Sequence, residues 1–210
     1  MICLAVETTG KFLGLGLYSF LKKGPVKTLA SHYKEAMSQQ TEQLIPTLEK
    51  LMKKARIKRG AITMIAVDVG PGSFTGVRVG LAAARMMAQA MELPLVGVSS
   101  LEAMAWPITQ AGSAQIVVPV LPAVSNEVYF AAYAGNKTVA EPAWKSEEDL
   151  LKFLAKHKNA VRVIEPPHPD AIAEVAIGRF RKSARMKFPY EKAMPMYLLP
   201  SWAERSRRSA

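Results

Sequence analysis

The apolar positions of the first 33 residues predict three β-strands. Residues 2–6 are continuously apolar, which is typical of a central strand buried on both faces. In residues 12–18 leucines alternate with glycines, and residues 26–33 follow a Lys-Lys-Gly-Pro turn. The chain therefore begins with three strands, before the first helical pattern.

Helical and strand-like patterns alternate from residue 41 to residue 106. Apolar positions three and four residues apart predict an amphipathic helix over residues 41–55, in which Pro46 predicts a bend or a start close to Thr41. The predicted elements that follow are a strand at 62–69, a helix at 74–91, a strand at 95–98 and a helix at 100–106. This is the order of an RNase H-like α/β unit with a mixed central sheet.

The remainder predicts a second, degenerate copy of this order. Its predicted elements are strands at 116–121, 127–133, 137–140 and 161–164, a helix after Ser146 and a helix from Asp170 to about residue 179. Two related halves predict an α/β, actin-like fold in which mixed central sheets are flanked by helices. We expect an N-terminal subdomain at 1–106, a smaller C-terminal one at 107–200 and a basic tail at 201–210, whose return to the first subdomain is left open.

Residues 69–81 place four glycines and a proline between a predicted strand and a predicted helix. The Gly-Pro-Gly at 70–72 predicts a sharp turn, and Ser73 is placed to cap the helix. Such a turn is a candidate anion site. However, Val77 and Arg78 stand where a P-loop has lysine and serine or threonine, and the glycines are spaced one residue too widely for a dinucleotide site.

The same segment predicts a packing surface. Gly76 and Gly80 fall on one face of the predicted helix, with Ala83 and Ala84 just beyond. Because nothing on this face protrudes beyond the backbone, a second helix can approach it closely. We therefore expect a partner helix to pack here.

Composition indicates a globular, basic protein. Of 210 residues half are apolar, and lysine plus arginine exceed aspartate plus glutamate by 11. The single cysteine, Cys3, excludes an internal disulfide and is interpreted as a buried strand residue. Neither a signal peptide nor a membrane-spanning run is predicted, so we expect a cytoplasmic protein.

The histidines do not predict a metal site. A metal-dependent transferase on this fold would need two histidines one helical turn apart, whereas His32, His157 and His168 belong to separate elements. No Ser-His-Asp or Cys-His set can be recognised in the sequence, so protease chemistry is not predicted either.

Several motifs resemble the bacterial TsaB (YeaZ) family. The eleven residues from Gly70 to Gly80 look like its hallmark, and the match is strong over residues 1–133. The other motifs, in family order, are Leu44-Ile45-Pro46, the run from Gly97 to Ala103, Glu127-Val128-Tyr129 and Pro195-x-Tyr197-Leu198.

The resemblance implies a non-catalytic member of the actin-like ATPase (ASKHA) superfamily. TsaB proteins pair with a catalytic paralogue, TsaD, and with the small ATPase TsaE. That complex places threonylcarbamoyl on adenosine 37 of tRNA. We accordingly expect a homodimer when the chain is alone, tRNA contact through the complex, no metal and no membrane partner. No cofactor is expected to bind the chain alone, and ATP with Mg²⁺ only in the complex.

The resemblance also implies that the first two helices form the dimer surface. Carried onto this chain, the interface residues are Gln40, Leu44, Ile45, Leu48, Gly72, Phe74, Thr75, Gly76, Arg78, Val79, Gly80 and Ala83. The residues that could contact a nucleotide are Glu7, Thr8 and Ser73.

Glu7 allows two interpretations. An ATPase of this fold needs a carboxylate in its first phosphate loop and a second acidic loop in the other half. Glu7 stands where the superfamily has aspartate, but residues 121–124 of the second half contain no acid. We favour an end-of-strand residue whose carboxylate is satisfied by backbone N–H groups.

Basic residues concentrate in two places. Six lie in residues 50–59, and no acid occurs from residue 50 to residue 67. Nine lie in residues 179–210, against two acids. These could contact tRNA phosphates, or they could cap a helix end and solvate the surface.

Three functions remain open. The first is a non-catalytic scaffold subunit of the threonylcarbamoyladenosine machinery. The second is a weak actin-like ATPase or kinase that uses Glu7 and the glycine turn. The third is a stand-alone tRNA-binding module that works through the basic tail.

Overall fold

Two mixed β-sheets carry the fold in the part of the chain that this computed structural model describes, residues 1–36, 39–112, 114–183 and 188–199. The strands are β1 (Ile2–Glu7), β2 (Phe12–Ser19), β3 (Lys27–Glu35), β4 (Met64–Asp68), β5 (Leu95–Val98), β6 (Ile116–Pro122), β7 (Glu127–Ala134), β8 (Lys137–Ser146) and β9 (Ala160–Val163). The helices are α1 (Gln40–Ala55), α2 (Phe74–Ala90), α3 (Ser100–Gln110), α4 (Glu147–Lys156) and α5 (Pro169–Lys182).

The second sheet repeats the pairing of the first. In the order β3-β2-β1-β4-β5, strands β1 to β3 are antiparallel and β1, β4 and β5 are parallel. In the order β8-β7-β6-β9, strands β6 to β8 are antiparallel and β6 and β9 are parallel. The second sheet thus matches the first without its fifth strand, which confirms the predicted degenerate copy.

Strand β1 lies between two apolar layers, as its continuous apolar run predicts. Leu4 and Val6 pack with α1 and α2, whereas Cys3 and Ala5 pack with α5 on the other face. Each of these side chains is fully buried. Successive side chains of a strand point to opposite faces, so a strand covered on both sides is apolar throughout.

Helices α3 and α5 each pack across the predicted boundary at residue 106. Leu101, Met104 and Ala105 of α3 pack against the second sheet, although the prediction placed α3 in the first subdomain. Helix α5, predicted to belong to the second subdomain, packs against β1 of the first sheet. Each sheet is therefore covered by a helix from the other half of the chain. The tail at 201–210 lies outside the described residues.

Helix α3 continues through Pro107 to Gln110, beyond the predicted end at residue 106. Proline in a helix removes one backbone hydrogen bond. Met104, Ala105 and Thr109 are buried, and the Thr109 hydroxyl donates to the Trp106 carbonyl oxygen at 3.0 Å. Burial on the second sheet thus outweighs the lost bond.

The chain after α5 returns to the first sheet. Met196 donates its backbone N–H to the Val69 carbonyl oxygen at 2.7 Å, next to the glycine turn. Arg85 of α2 donates to the carbonyl oxygens of Glu191 and Ala193. Residues 191–196 therefore lie beside α2, from the middle of the helix to the glycine turn that precedes it.

Candidate functional site

The carboxyl ends of the parallel strands β1, β4 and β5 meet at one edge of the first sheet. Glu7 ends β1, Asp68 ends β4, and Ser99 and Ser100 follow β5. In open α/β sheets, ligands bind at this edge. This edge is therefore the candidate site.

Glu7 is held by the loop that follows it. Its Oε1 accepts hydrogen bonds from the backbone N–H groups of Thr9 at 2.6 Å and Gly10 at 3.3 Å. Its side chain is 1% exposed. This confirms the interpretation of Glu7 as an end-of-strand residue satisfied by backbone N–H groups.

Asp68 joins the three loops at the same edge. Its Oδ1 accepts from the Ser100 hydroxyl at 2.7 Å and from the Gly70 N–H at 2.8 Å. The Thr9 hydroxyl lies 2.9 Å from Glu7 Oε1 and 3.2 Å from Asp68 Oδ2, so it bridges the two carboxyl groups. These residues form a closed acid cluster: Glu7, Thr9, Asp68 and Ser100.

Burial is the main cause that raises the pKa values of both acids. For Glu7, burial raises the pKa first and the neighbouring Asp68 carboxylate raises it further, against the lowering effect of the bonds from Thr9 and Gly10. For Asp68, burial raises the pKa and the bonds from Ser100, Gly70 and Thr9 lower it. Two neighbouring carboxylates resist simultaneous ionisation. The cluster therefore retains a proton at pH values at which an ordinary carboxyl group has already lost it.

The acid cluster predicts that stability falls as pH rises. A raised pKa means that the folded chain keeps a proton that the unfolded chain has released, so the contribution is full below the unfolded pKa of about 4 and is lost as pH rises through the folded pKa. Glu7→Gln removes one charge and leaves an amide oxygen to accept from Thr9. As the pH is raised from 5 to 9, the free energy of unfolding of this variant, relative to that of wild type, should increase by about 1–2 kcal/mol.

Urea denaturation of both proteins at pH 5 and pH 9 measures this difference. Glu42→Gln, at an exposed position in the first turn of α1, is the matched control and should follow wild type. A parallel pH dependence for wild type and Glu7→Gln would show that the acid cluster does not hold the extra proton.

The glycine face of α2 points into its own chain, which corrects the prediction of a partner helix there. A Cβ on Gly72 would lie 2.6 Å from the Thr9 carbonyl oxygen, and one on Gly76 would overlap the Thr8 carbonyl oxygen. A Cβ on Gly80 would overlap the Thr8 hydroxyl. The glycines are needed because the loop after β1 crosses α2 closely.

The residues expected to contact a nucleotide are occupied by the same packing. The Thr8 hydroxyl donates to the Gly76 carbonyl oxygen at 2.7 Å, and Thr8 is 1% exposed. Ser73 caps α2 as predicted, because its Oγ accepts from the Gly76 N–H at 3.3 Å, while its own N–H donates to the Thr9 carbonyl oxygen at 2.6 Å. Only Ser73 of the three nucleotide candidates is exposed.

The predicted interface residues divide into buried and exposed groups. Leu44 and Leu48 are buried under α1 in the core of the first sheet, so they are not surface residues. Eight of the predicted interface residues are at least partly exposed. Two of them, Gln40 and Ile45, lie on α1, and the other six lie on α2 or just before it: Gly72, Phe74, Thr75, Arg78, Val79 and Ala83. Gln40 also donates its side-chain N–H to the Gly10 carbonyl oxygen at 3.1 Å.

An aromatic stack is exposed at the start of α2. The Arg78 guanidinium lies 3.7 Å from the centroid of the Phe74 ring, and its Nε donates to the Tyr197 hydroxyl at 3.0 Å. The Phe74 and Tyr197 rings are 5.4 Å apart, with exposed fractions of 56% and 48%. The returning chain thus adds Tyr197 to the exposed face of α2, which no local sequence pattern indicated.

Within the described ranges, no cluster of three or more histidine, cysteine, aspartate or glutamate side chains could hold a metal ion. No helix in the same part of the chain is long and apolar enough to cross a membrane.

One family model matches most of the chain. It is described as TsaD: tRNA N6-adenosine threonylcarbamoyltransferase, and it matches residues 32–200. That is more than half of the chain.

Two curated relatives are about 30% identical to the chain over the aligned residues. The tRNA threonylcarbamoyladenosine biosynthesis protein TsaB of Escherichia coli is 29% identical over 148 residues, which are 70% of this chain and 60% of the relative. TsaB of Haemophilus influenzae is 33% identical over 134 residues, 64% of this chain and 54% of the relative. Both matches span less than two thirds of the relative's length.

A solved structure has the same fold over nearly its whole length. YeaZ from Pseudomonas aeruginosa superposes with a TM-score of 0.75 at 23% identity, over 94% of this chain and 99% of that one. The predicted α/β, actin-like fold is thereby confirmed. The family model, the TsaB relatives and this fold together show that the chain belongs to the TsaB (YeaZ) family.

Proposed function

We propose that this chain is a non-catalytic subunit of the cytoplasmic machinery that makes threonylcarbamoyladenosine at position 37 of tRNA. Its relatives are named biosynthesis proteins for that nucleoside. In this proposal the chain pairs with a TsaD-type transferase and works with a TsaE-type ATPase. Alone it forms a homodimer.

Exposed apolar side chains on α1 and α2 are the observation that carries the proposal. Ile45 of α1 is 41% exposed, and Phe74 and Met86 of α2 are 56% and 60% exposed. Exposed aromatic and methionine side chains on adjacent helices are typical of interface cores. The paralogue is expected to cover this outer face, opposite the glycines.

The acid cluster supports a role without catalysis. An actin-like ATPase would need a carboxylate that reaches Mg²⁺ or water. Glu7 and Asp68 are each 1% exposed and are occupied by hydrogen bonds within the chain. ATP with Mg²⁺ is therefore proposed to act only in the assembled complex, and tRNA to be modified there.

Reconstitution with and without this chain tests the proposal. Combining a TsaD-type transferase, a TsaE-type ATPase and unmodified tRNA should give threonylcarbamoyladenosine only when this chain is added back. Mass spectrometry of the digested tRNA measures the product. Undiminished product without the chain would refute the role.

The ATPase alternative makes the opposite prediction for the isolated chain. If Glu7 orders Mg²⁺ and water, the chain alone should hydrolyse ATP, and Glu7→Ala should abolish that activity. Phosphate release from the chain without its partners measures this. Hydrolysis that survives Glu7→Ala would come from another source and would not support the alternative.

A further inference from the structure

Five exposed cations surround the end of α1. Helix α1 ends at Ala55, and a single 3-10 turn follows at Arg59–Ala61. We call the exposed residues Lys53, Lys54, Arg56, Lys58 and Arg59 the basic turn.

Most of this positive charge is uncompensated. Among the described residues, Glu49 is the one carboxylate within ion-pair distance of the basic turn, with its Oε1 3.5 Å from Arg59. Lys53, Arg56 and Lys58 have no carboxylate within that distance in the same ranges. The local field therefore favours an anion from outside the chain.

The basic turn also has a concave surface. A shallow cleft of about 390 Å³ is lined by Lys53, Arg56, Lys58 and Arg59, together with Met52, Ile57 and the carboxylate of Glu49, which lies within ion-pair distance of Arg59. Four cationic side chains that line one cleft offer several donors to the oxygens of a phosphate group.

Arg56 stands where a glycine would be more stable. Its φ of 54° is left-handed, and its N–H donates to the Lys53 carbonyl oxygen while the Ile57 N–H donates to that of Met52. This is the Schellman helix end, at which glycine is usual because a side chain is strained there. Lys53 and Lys54 already supply cations to the last turn of the helix. Helix capping therefore does not account for Arg56.

We propose that the basic turn binds the phosphate backbone of RNA. The choice of RNA rests on the proposed function, which gives the chain a tRNA to act with. Ile45 and Ala55, the last residue of α1, are ten residues apart, or about 15 Å at 1.5 Å per residue. One end of α1 can thus face the paralogue while the other contacts the RNA.

Removal of three cations from the basic turn tests this inference. The variant Lys53→Gln/Arg56→Gly/Lys58→Gln is compared in the full chain with Lys22→Gln/Lys23→Gln/Lys145→Gln, which removes equal charge from exposed positions elsewhere. Fluorescence anisotropy with a labelled tRNA transcript is measured at several salt concentrations. The basic-turn variant should bind at least about fivefold more weakly, and its salt slope should fall by about two. The control should change less than about twofold.

Stability separates lost binding from lost folding. Arg56→Gly relieves the left-handed strain, so this single variant should keep or raise the Tm while it weakens tRNA binding. Equal losses in the two triple variants would mean that overall charge, and not the basic turn, binds the RNA. Wild-type affinity in the basic-turn variant would also overturn the inference.

Two further results are distinguishable. If phosphatidylserine vesicles bind wild type but not the basic-turn variant, while tRNA affinity is unchanged, the basic turn is a membrane site and the inference is wrong. If reconstituted modification requires the chain but the basic-turn variant binds tRNA normally, the proposed function stands and this inference alone fails.

Discussion

Gly76→Ala is expected to destabilise the isolated chain by about 2 kcal/mol, because the glycine face of α2 is an internal contact. The added methyl group would overlap the carbonyl oxygen of Thr8, a backbone atom that cannot rotate away. Replacing glycine by alanine favours a helix by about 0.5–1 kcal/mol, which offsets only part of this cost. Urea denaturation should show a lower midpoint with an unchanged slope.

The matched control makes the same substitution in open space. Gly60 has no heavy atom within 4 Å of an added Cβ. Gly60→Ala should therefore change the free energy of unfolding by less than about 0.5 kcal/mol. If Gly76→Ala were as stable as wild type and failed only to pair with another chain, the glycine face would be a partner surface after all.

A helical pattern establishes which residues share a face, but not what packs against that face. Periodicity placed Gly76 and Gly80 on one face and correctly predicted that something packs closely there. It could not identify the neighbour, because a small-residue face fits a partner helix and a loop of the same chain equally well. The neighbouring loop follows β1 and lies nearly 70 residues earlier in the chain. The sequence analysis considered that loop only as a possible phosphate loop that contains Glu7.

Local patterns predicted the strands because burial leaves a local trace. The continuous apolar run of β1 and the leucine alternation of β2 follow from which faces are covered. The exchange of α3 and α5 between the sheets leaves no such trace, because an amphipathic helix presents the same apolar stripe to either sheet. The spacing of apolar residues therefore predicted the elements on both sides of residue 106, although α3 and β8 are longer than predicted, but it did not predict which sheet α3 and α5 cover.

The sequence predicted one of the two acids in the acid cluster. Glu7 was recognised because it stands in a loop that a whole superfamily uses, but Asp68 was missed. A single acid at the end of a buried strand has no pattern of its own, and its role depends on Thr9 and Ser100, which are distant in sequence. A signal was present: Asp68 is the one charged residue in the apolar run 62–69.

The contact of Tyr197 with α2 could not be predicted from the local sequence either. Tyr197 was noted as part of a family motif, without a structural role. Its hydroxyl accepts from Arg78, which is 119 positions earlier, and its ring completes the exposed stack with Phe74. Such a contact requires the positions of α2 and of the returning chain, and neither follows from the spacing of apolar residues.

Phe74→Ala is expected to weaken pairing with a TsaD-type paralogue about 30-fold, or about 2 kcal/mol. The ring is 56% exposed and is held in place by Arg78 and Tyr197, so it meets a partner with little loss of conformational entropy. Arg78 covers one face of the ring by a cation–π contact, which leaves the rest of the ring to insert into the partner. Isothermal titration calorimetry of the two purified chains measures the change.

Leu151→Ala is the matched control for this prediction. Leu151 lies on α4 of the second half and is 55% exposed, so both variants remove a large apolar side chain of similar exposure. Because both side chains are more than half exposed, neither variant should lose more than about 1 kcal/mol of folding stability.

If Leu151→Ala weakened pairing as much as Phe74→Ala, or if only Leu151→Ala did so, the partner would cover the second half instead. An unchanged affinity in Phe74→Ala would remove the outer face of α2 from the interface, since its most exposed aromatic anchor would then contribute nothing.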